Sequence, residues 1–228
     1  MSKKIISFSL WGDNPKYCEG AIRNASIRSE FYPEWICRFY VHKNVRPQYI
    51  DQLSSFENVE VCIENRPADW TGMFWRFEAI SDPDVSIVIS RDCDSRLNQR
   101  ESEAVEEFEK SDKKFHIMRD HPHHGFNVLG GMFGIKKGLL DNMKDLCENF
   151  QKKDSYGTDY NFFDKLINII PKESIMTHDP FFSGKNFPSS RCNYQFVGQV
   201  FDENDNTVQA HIDALKKYIN ENSNIIHG

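Results

Sequence analysis

Val85-Ser86-Ile87-Val88-Ile89-Ser90-Arg91-Asp92-Cys93-Asp94-Ser95-Arg96 is the stretch from which this chain is best read. Its first half is a continuous apolar run rich in β-branched residues, the pattern of a central strand buried on both faces. The run stops at two carboxylates one residue apart, Asp92 and Asp94. Charged groups at the carboxyl end of a central strand lie where open α/β sheets bind ligands. Two hard oxygen donors suit Mg²⁺ or Mn²⁺, ions that keep open positions for substrate phosphates. The alternative is a solvated turn in which Asp92 or Asp94 caps the next segment. Arg91 and Arg96 add charges that such a turn does not need.

Upstream, residues 4–10 read as a strand that ends at Trp11-Gly12-Asp13-Asn14-Pro15. Asn14 can cap a helix over residues 15–30, with Pro15 at its first position. A strand over 35–41, a helix from Arg46-Pro47 to about residue 56, and a strand over 59–63 follow. This β-α-β-α-β order predicts a parallel sheet with right-handed crossovers. No Gly-x-Gly-x-x-Gly and no Walker sequence follows the first strand, so a dinucleotide site or P-loop is unsupported. Ser9, Leu10 and Trp11 at the strand end stay candidates for nucleotide contact. Residues 70–80 predict a helix whose Trp70, Phe74, Trp75 and Phe77 pack the core. Arg76 among them either neutralises a phosphate or pairs with Glu78 or Asp82.

Downstream, Asn98 and Glu101 have the spacing of a capping box that opens a helix to about residue 110. Its carboxylates Glu101, Glu103, Glu106, Glu107 and Glu109 are expected in solvent. Residues 115–118 form a strand that ends in Arg119-Asp120-His121-Pro122-His123-His124. Imidazoles suit a transition metal, but the spacing fits no zinc pattern, and a polar rim for substrate hydroxyls is the preferred reading. Val128 to Ile135 reads as a strand interrupted by Gly130 and Gly131, which allow close approach of a ligand or form a bulge. Residues 136–150 predict a helix. Tyr156-Gly157-Thr158-Asp159 precedes another over 160–170, with Thr158 as its cap and Asp159 in its first turn, either for the helix dipole or for chemistry. A strand at 175–179 ends in His178-Asp179, a second metal-competent pair. The irregular stretch 180–201 carries Lys185 and Arg191 and has the composition of a flap. Residues 207–222 read as a terminal helix.

The totals fit one α/β domain. The chain has 228 residues, 39% hydrophobic and 27% charged, with a net charge of −6. No long basic run marks a nucleic-acid surface. No segment approaches the ~20 apolar residues of a membrane span, and the N-terminus runs directly into a strand. Six scattered cysteines without a Cys-x-x-Cys pair point to reduced thiols and a cytoplasmic protein.

Taken together, the β-α-β-α-β half, the Asp92-Cys93-Asp94 turn, Gly130-Gly131-Met132-Phe133-Gly134, Tyr156-Gly157-Thr158-Asp159 and His178-Asp179 resemble a small GT-A glycosyltransferase. The run Phe196-Val197-Gly198-Gln199-Val200-Phe201-Asp202 resembles the end of some members. The resemblance implies a single domain over 1–228, with a Rossmann-like, mostly parallel sheet flanked by helices. Residues 1–97 would be its nucleotide-binding half and 98–228 its sugar and acceptor half. It implies transfer of a sugar from a nucleotide-diphosphate donor to a glycan or other hydroxyl acceptor, with Mn²⁺ or Mg²⁺. Asp92 and Asp94 would hold the ion, with His178 as third ligand. Asp92 would also face the donor's ribose. Ser9, Leu10, Trp11, Arg76 and Lys185 would bind the donor, and Gly130, Gly131 and Asp159 would line the sugar site. Asp120, Asp159 and Asp179 are the candidate catalytic carboxylates.

Three other readings compete. An aspartyl-nucleophile phosphohydrolase carries its Asp-x-Asp after the first strand, whereas here the pair follows the fourth. A nucleotidyltransferase calls for a Gly-rich, basic loop after the first strand, which Leu10-Trp11-Gly12-Asp13 is not. The third is a non-catalytic domain that binds a nucleotide sugar or carbohydrate.

Overall fold

The computed structural model describes residues 2–150, 158–182 and 185–222. Seven strands form one sheet: β1 (Lys3–Leu10), β2 (Ile36–His42), β3 (Val59–Glu64), β4 (Val85–Ser90), β5 (Phe115–Met118), β6 (Phe133–Lys136) and β7 (Ile175–His178). Their order is β3-β2-β1-β4-β6-β5-β7. The pairs β2–β3, β1–β2, β1–β4 and β5–β7 are parallel. Only β6 runs antiparallel, against β4 and β5. The sheet is therefore mostly parallel, with β1 and β4 at its centre; the apolar run of β4 predicts that place for it.

Successive residues of a strand point to opposite faces, so β1 and β4 feed two cores. Ile6, Phe8 and Ile89 pack on one side with Cys18 and Ala21 of α1 (Pro15–Phe31), Leu53 of α2 (Pro47–Ser54) and Phe108 of α3 (Gln99–Lys110). Ile5 and Val88 pack on the other with Phe74, Phe77, Phe133 and with Phe162 and Phe163 of α5 (Thr158–Ile167). Each fully buried Phe or Ile contributes about 1.5–3 kcal/mol.

Helix α1 braces the turn after β4. Asn14 accepts from Lys16 N at 3.1 Å and so caps the helix as expected. A Cβ at Gly20 would lie 2.1 Å from Cys93 O, so only glycine lets α1 come this close. Asn24 then donates to Ser95 O at 2.8 Å and accepts from Leu97 N at 3.0 Å. The Asp92–Asp94 turn is thus held from behind by buried polar contacts.

Four local expectations are corrected. Residues Trp70–Ser81 form a 3-10 helix, not an α-helix. Three-residue spacing eclipses side chains, and this puts Phe74, Phe77 and Ile80 in one row, all buried. The helix expected over 136–150 is confined to α4 (Met143–Asn149). Gly138 at φ +88° takes a left-handed conformation and breaks it. The expected strand 128–135 shortens to β6, because residues 129–132 turn. Finally, Glu101 is not in solvent: it is 1% exposed and pairs with Arg91 Nε at 2.7 Å. Helix α6 (Gln209–Glu221) closes the chain.

Buried histidines give the fold an acid limit. His116, His121 and His124 are held neutral, with burial as the main cause; His121 is lowered to about 4 and His124 to about 3. Unfolded imidazoles protonate near 6.5, so below that value the unfolded chain binds more protons and the folded state loses ground. Stability should fall as the pH drops from 8 to 5, by about 2 kcal/mol for His121 alone. Urea titrations at the two pH values check this; equal midpoints would contradict it.

Candidate functional site

A cleft of about 790 Å³ opens at the carboxyl ends of β1 and β4. Its walls include Ser9, Leu10, Trp11, Arg76, Asp92, Asp94, Gly130, Gly131 and Asp159. The sheet topology explains the meeting: β1 and β4 are parallel neighbours, so both end on the same side, and the chain changes direction there at antiparallel β6. A ligand cleft at such a point is the general rule for open α/β sheets.

The charges of the cleft are interlocked. Arg76 is buried, and its Nη1 donates to Asp92 Oδ1 and, at 2.9 Å, to Arg91 O. The Arg76 backbone N–H donates to Ser9 Oγ at 3.0 Å, so that hydroxyl serves to fix the 3-10 helix against β1. Lys16 Nζ lies 2.7 Å from Asp94 Oδ2. The Asp92 side chain keeps 47% of its surface open, whereas Asp94 keeps 13%. Burial, and then the nearby Asp92 charge, push the Asp94 carboxyl up. Burial also pushes Asp159 up, while Arg76 opposes the shift.

Gly130 and Gly131 approach these carboxylates and leave no room for a side chain. A Cβ at Gly131 would sit 1.9 Å from Asp92 Oδ2, and one at Gly130 would sit 2.6 Å from Asp159 Oδ2. The glycine pair is clamped in place by Ser90 Oγ, which donates to Gly130 O at 2.6 Å. Along one wall the order is therefore Asp94, Asp92, Gly131, Gly130, Asp159.

Four expected residues lie elsewhere. His178 ends β7, three strand spacings or about 14 Å from β4. Its ring is fully buried between His116, at 2.7 Å, and Glu107, at 3.0 Å, and does not line the cleft. Lys185 also turns to Glu107, at 3.4 Å. Asp120 is fully buried and receives Arg100, Arg191 and the Val197 N–H, which fastens the 189–197 segment to the end of β5. That segment is thus pinned along this stretch, unlike a free flap. Asp179, also fully buried, pairs with Arg119 at 2.6 Å and accepts from the Phe181 and Phe182 N–H groups. Of the three candidate catalytic carboxylates, Asp159 alone faces the cleft. Tyr156 and Gly157 lie outside the described residues.

Sequence reasoning missed Lys16, and a signal was present. A cation in the first turn of a helix opposes the helix dipole, so Lys16 called for an acidic partner. It also missed Phe126 and Tyr160, which line the cleft. Nothing local to either residue marks it.

The donor set fits a small divalent ion. Among the described residues no three His, Cys, Asp or Glu side chains gather into a complete metal site. Asp92 and Asp94 supply two hard donors beside an open cleft, and Mg²⁺ and Mn²⁺ take few protein ligands and complete their shell with water and phosphate. Burial and then the Asp92 charge raise the Asp94 carboxyl although Lys16 opposes the shift, and a cation held there would lower it.

No protein-family model and no curated protein matches the chain. Solved structures do. A glycosyltransferase involved in the glycosylation of the major capsid of PBCV-1 superposes with TM-score 0.51 at 14% identity, over 78% of this chain and 82% of that one. A cytidylyltransferase from Leptospira borgpetersenii superposes with TM-score 0.51 at 9% identity, over 100% and 98%. A mannosyltransferase from Pyrobaculum calidifontis, in complex with GDP-Man and Mn²⁺, gives TM-score 0.50 at 11% identity, over 80% of this chain and 58% of that one. With its mostly parallel sheet and a cleft at the ends of β1 and β4, this chain has a GT-A type fold.

Proposed function

We propose that this protein transfers a sugar from a nucleoside-diphosphate donor to an acceptor hydroxyl, with Mn²⁺ or Mg²⁺ held by Asp92 and Asp94. The observation that carries this reading is the wall order just described. Two metal-competent carboxylates and a third, Asp159, line one cleft, with Asp92 and Asp159 seated against a glycine pair.

A bound divalent ion neutralises the charge that develops on the diphosphate as the glycosidic bond breaks. The chain's own residues arrange that event. Arg76 holds Asp92 in one orientation and keeps a positive charge between Asp92 and Asp159. Lys16 pairs with Asp94, and with an ion held at that carboxylate its ammonium would be in place for a phosphate oxygen. The β1 end at Ser9, Leu10 and Trp11 receives the nucleoside. Gly130 and Gly131 line the sugar site, and Asp159 takes a hydrogen bond from a sugar or acceptor hydroxyl. With its carboxyl raised by burial, Asp159 is a stronger proton acceptor than an exposed carboxylate.

Nucleotidyl transfer is the second reading, because the cytidylyltransferase match covers 100% of this chain. It is the weaker one. The β1–α1 connection, Trp11 to Asn14, carries no cation and a single glycine, not the Gly-rich basic loop that a triphosphate calls for.

Calorimetric titration of UDP, GDP, CDP and dTDP, with Mn²⁺ and then with EDTA, tests the proposal. Metal-dependent binding of one diphosphate is expected and identifies the donor base. No binding by any of the four, or exchange of pyrophosphate into CTP, would overturn it.

A further inference from the structure

Beyond Asp159 the cleft continues to two aromatic rings that the chemistry above does not use. Phe126 and Tyr160 stack with centroids 3.8 Å apart and planes 7° apart. Both line the cleft, and Phe126 is 45% exposed. Tyr160 directly follows Asp159 in the first turn of α5, so the carboxylate and the stacked rings are neighbours.

The platform is set before any ligand arrives. Asn127 donates to Asp164 Oδ1 at 3.0 Å and ties the Phe126 segment to α5. Arg119 donates through Nη1 to Phe126 O at 3.3 Å, while its Nη2 holds the buried Asp179. Asp179, outside the cleft, thereby supports a residue inside it. Rings fixed in this way lose little freedom when a ligand stacks on them.

Single exposed aromatic residues are common on protein surfaces. Here the flat face adjoins a cleft carboxylate, and His123 and His124 line the same cleft. His124 Nδ1 accepts from the Asp120 N–H at 3.1 Å, which leaves its proton on Nε2, available as a donor. A flat apolar face with acceptors and donors at its rim matches a pyranose ring, whose axial C–H groups form an apolar face and whose hydroxyls radiate around the edge. A nucleobase also stacks on aromatic rings. Position argues against one: Gly131, Gly130 and Asp159 separate the rings from the Asp92–Asp94 turn and from the β1 end beyond it.

We infer that Phe126 and Tyr160 form an acceptor platform, and that the acceptor is a pyranoside stacked on Phe126 with one hydroxyl directed at Asp159. This rests on the transferase reading and names the acceptor class for the same cleft.

Saturation-transfer difference NMR tests it, on the full chain with Mn²⁺ and the diphosphate selected by titration, using methyl glycopyranosides as probes. Saturation of aromatic protons should reach the C–H protons of one face of the sugar. Phe126→Ala should weaken glycoside binding about tenfold or more, and Phe126→Trp should retain it. Phe126→Leu, which keeps apolar bulk without a flat ring, serves if the alanine variant is unstable. Equal glycoside binding by wild type and a folded Phe126→Ala overturns the inference. So does a chain that binds the diphosphate but no glycoside. So does a Phe126→Ala variant that weakens diphosphate binding instead, since the ring would then hold the base. A chain that binds no diphosphate at all removes the transferase reading, and this inference with it.

Discussion

Asp94→Ala should bind the cognate nucleoside diphosphate in Mn²⁺ no more tightly than the wild type does in EDTA. The ion contributes several kcal/mol to a diphosphate site, so the loss should reach at least about 100-fold in Kd. Asp92 cannot compensate. Alone it offers the ion a single carboxylate, one oxygen of which is already engaged by Arg76. The fold should survive, because Asp94 stabilises little. Its carboxyl is raised by burial and by Asp92, which means that folding disfavours its charge. Lys16, left without its partner, still has 29% of its side chain in solvent. The melting temperature should therefore stay the same or rise slightly, the usual sign of a residue retained for function. Metal-dependent binding that is unchanged in a folded Asp94→Ala would remove the central claim.

Glu101→Ala should be the most damaging single change to stability, at about 3–5 kcal/mol. Arg91 and Glu101 are each 1% exposed and pair at 2.7 Å. Glu101 Oε1 also accepts from Tyr32 OH at 2.9 Å. Removing the carboxylate strands a guanidinium that already has one unpartnered nitrogen, Nη2. Against a typical total of about 5–15 kcal/mol, such a loss is severe. Glu101→Gln should cost less, since it keeps an acceptor for Tyr32 and Arg91. Replacing both partners by apolar residues of similar size, Arg91→Met with Glu101→Leu, should recover most of the loss. Urea unfolding of the three variants checks the ranking. A Glu101→Ala midpoint equal to that of the wild type would refute it. Arg91 immediately precedes Asp92, and its carbonyl receives Arg76, so the pair also sets the position of the turn that carries Asp92 and Asp94.

The acid limit set by His121 and His124 acts apart from both changes. His121 and His124 lie in the segment after β5, whereas the Arg91 charge also helps to keep His116 neutral.

What could be read from sequence had a local physical cause. An apolar run marked β4 as a central strand because a strand buried on both faces has no polar side to show. Asn14 and Pro15 marked the start of α1 because a helix leaves its first N–H groups to be capped. The Asp92–Asp94 turn followed from charge placed at the end of an apolar strand, and its place in a cleft followed from the β-α-β order. These features require only neighbours in the chain.

The tertiary structure decided the rest, because long-range contacts choose among groups of the same chemistry. Asp120, Asp159 and Asp179 are alike in sequence as carboxylates at the edge of a secondary element. Folding gave two of them to arginines, Asp120 to Arg100 and Arg191 and Asp179 to Arg119, and left Asp159 in the cleft. His178 ends a strand as Asp92 follows one, but β7 was added at the far edge of the sheet. Glu101 resembles its solvated neighbours on α3 until Arg91, ten residues earlier, is brought against it. By itself the sequence determined a parallel α/β sheet and the charged turn after its fourth strand, since those depend on residue periodicity and strand order. Only the tertiary structure decided which carboxylate, which cation and which aromatic rings share that cleft, since buried charges must find partners and the partners lie far away in the chain.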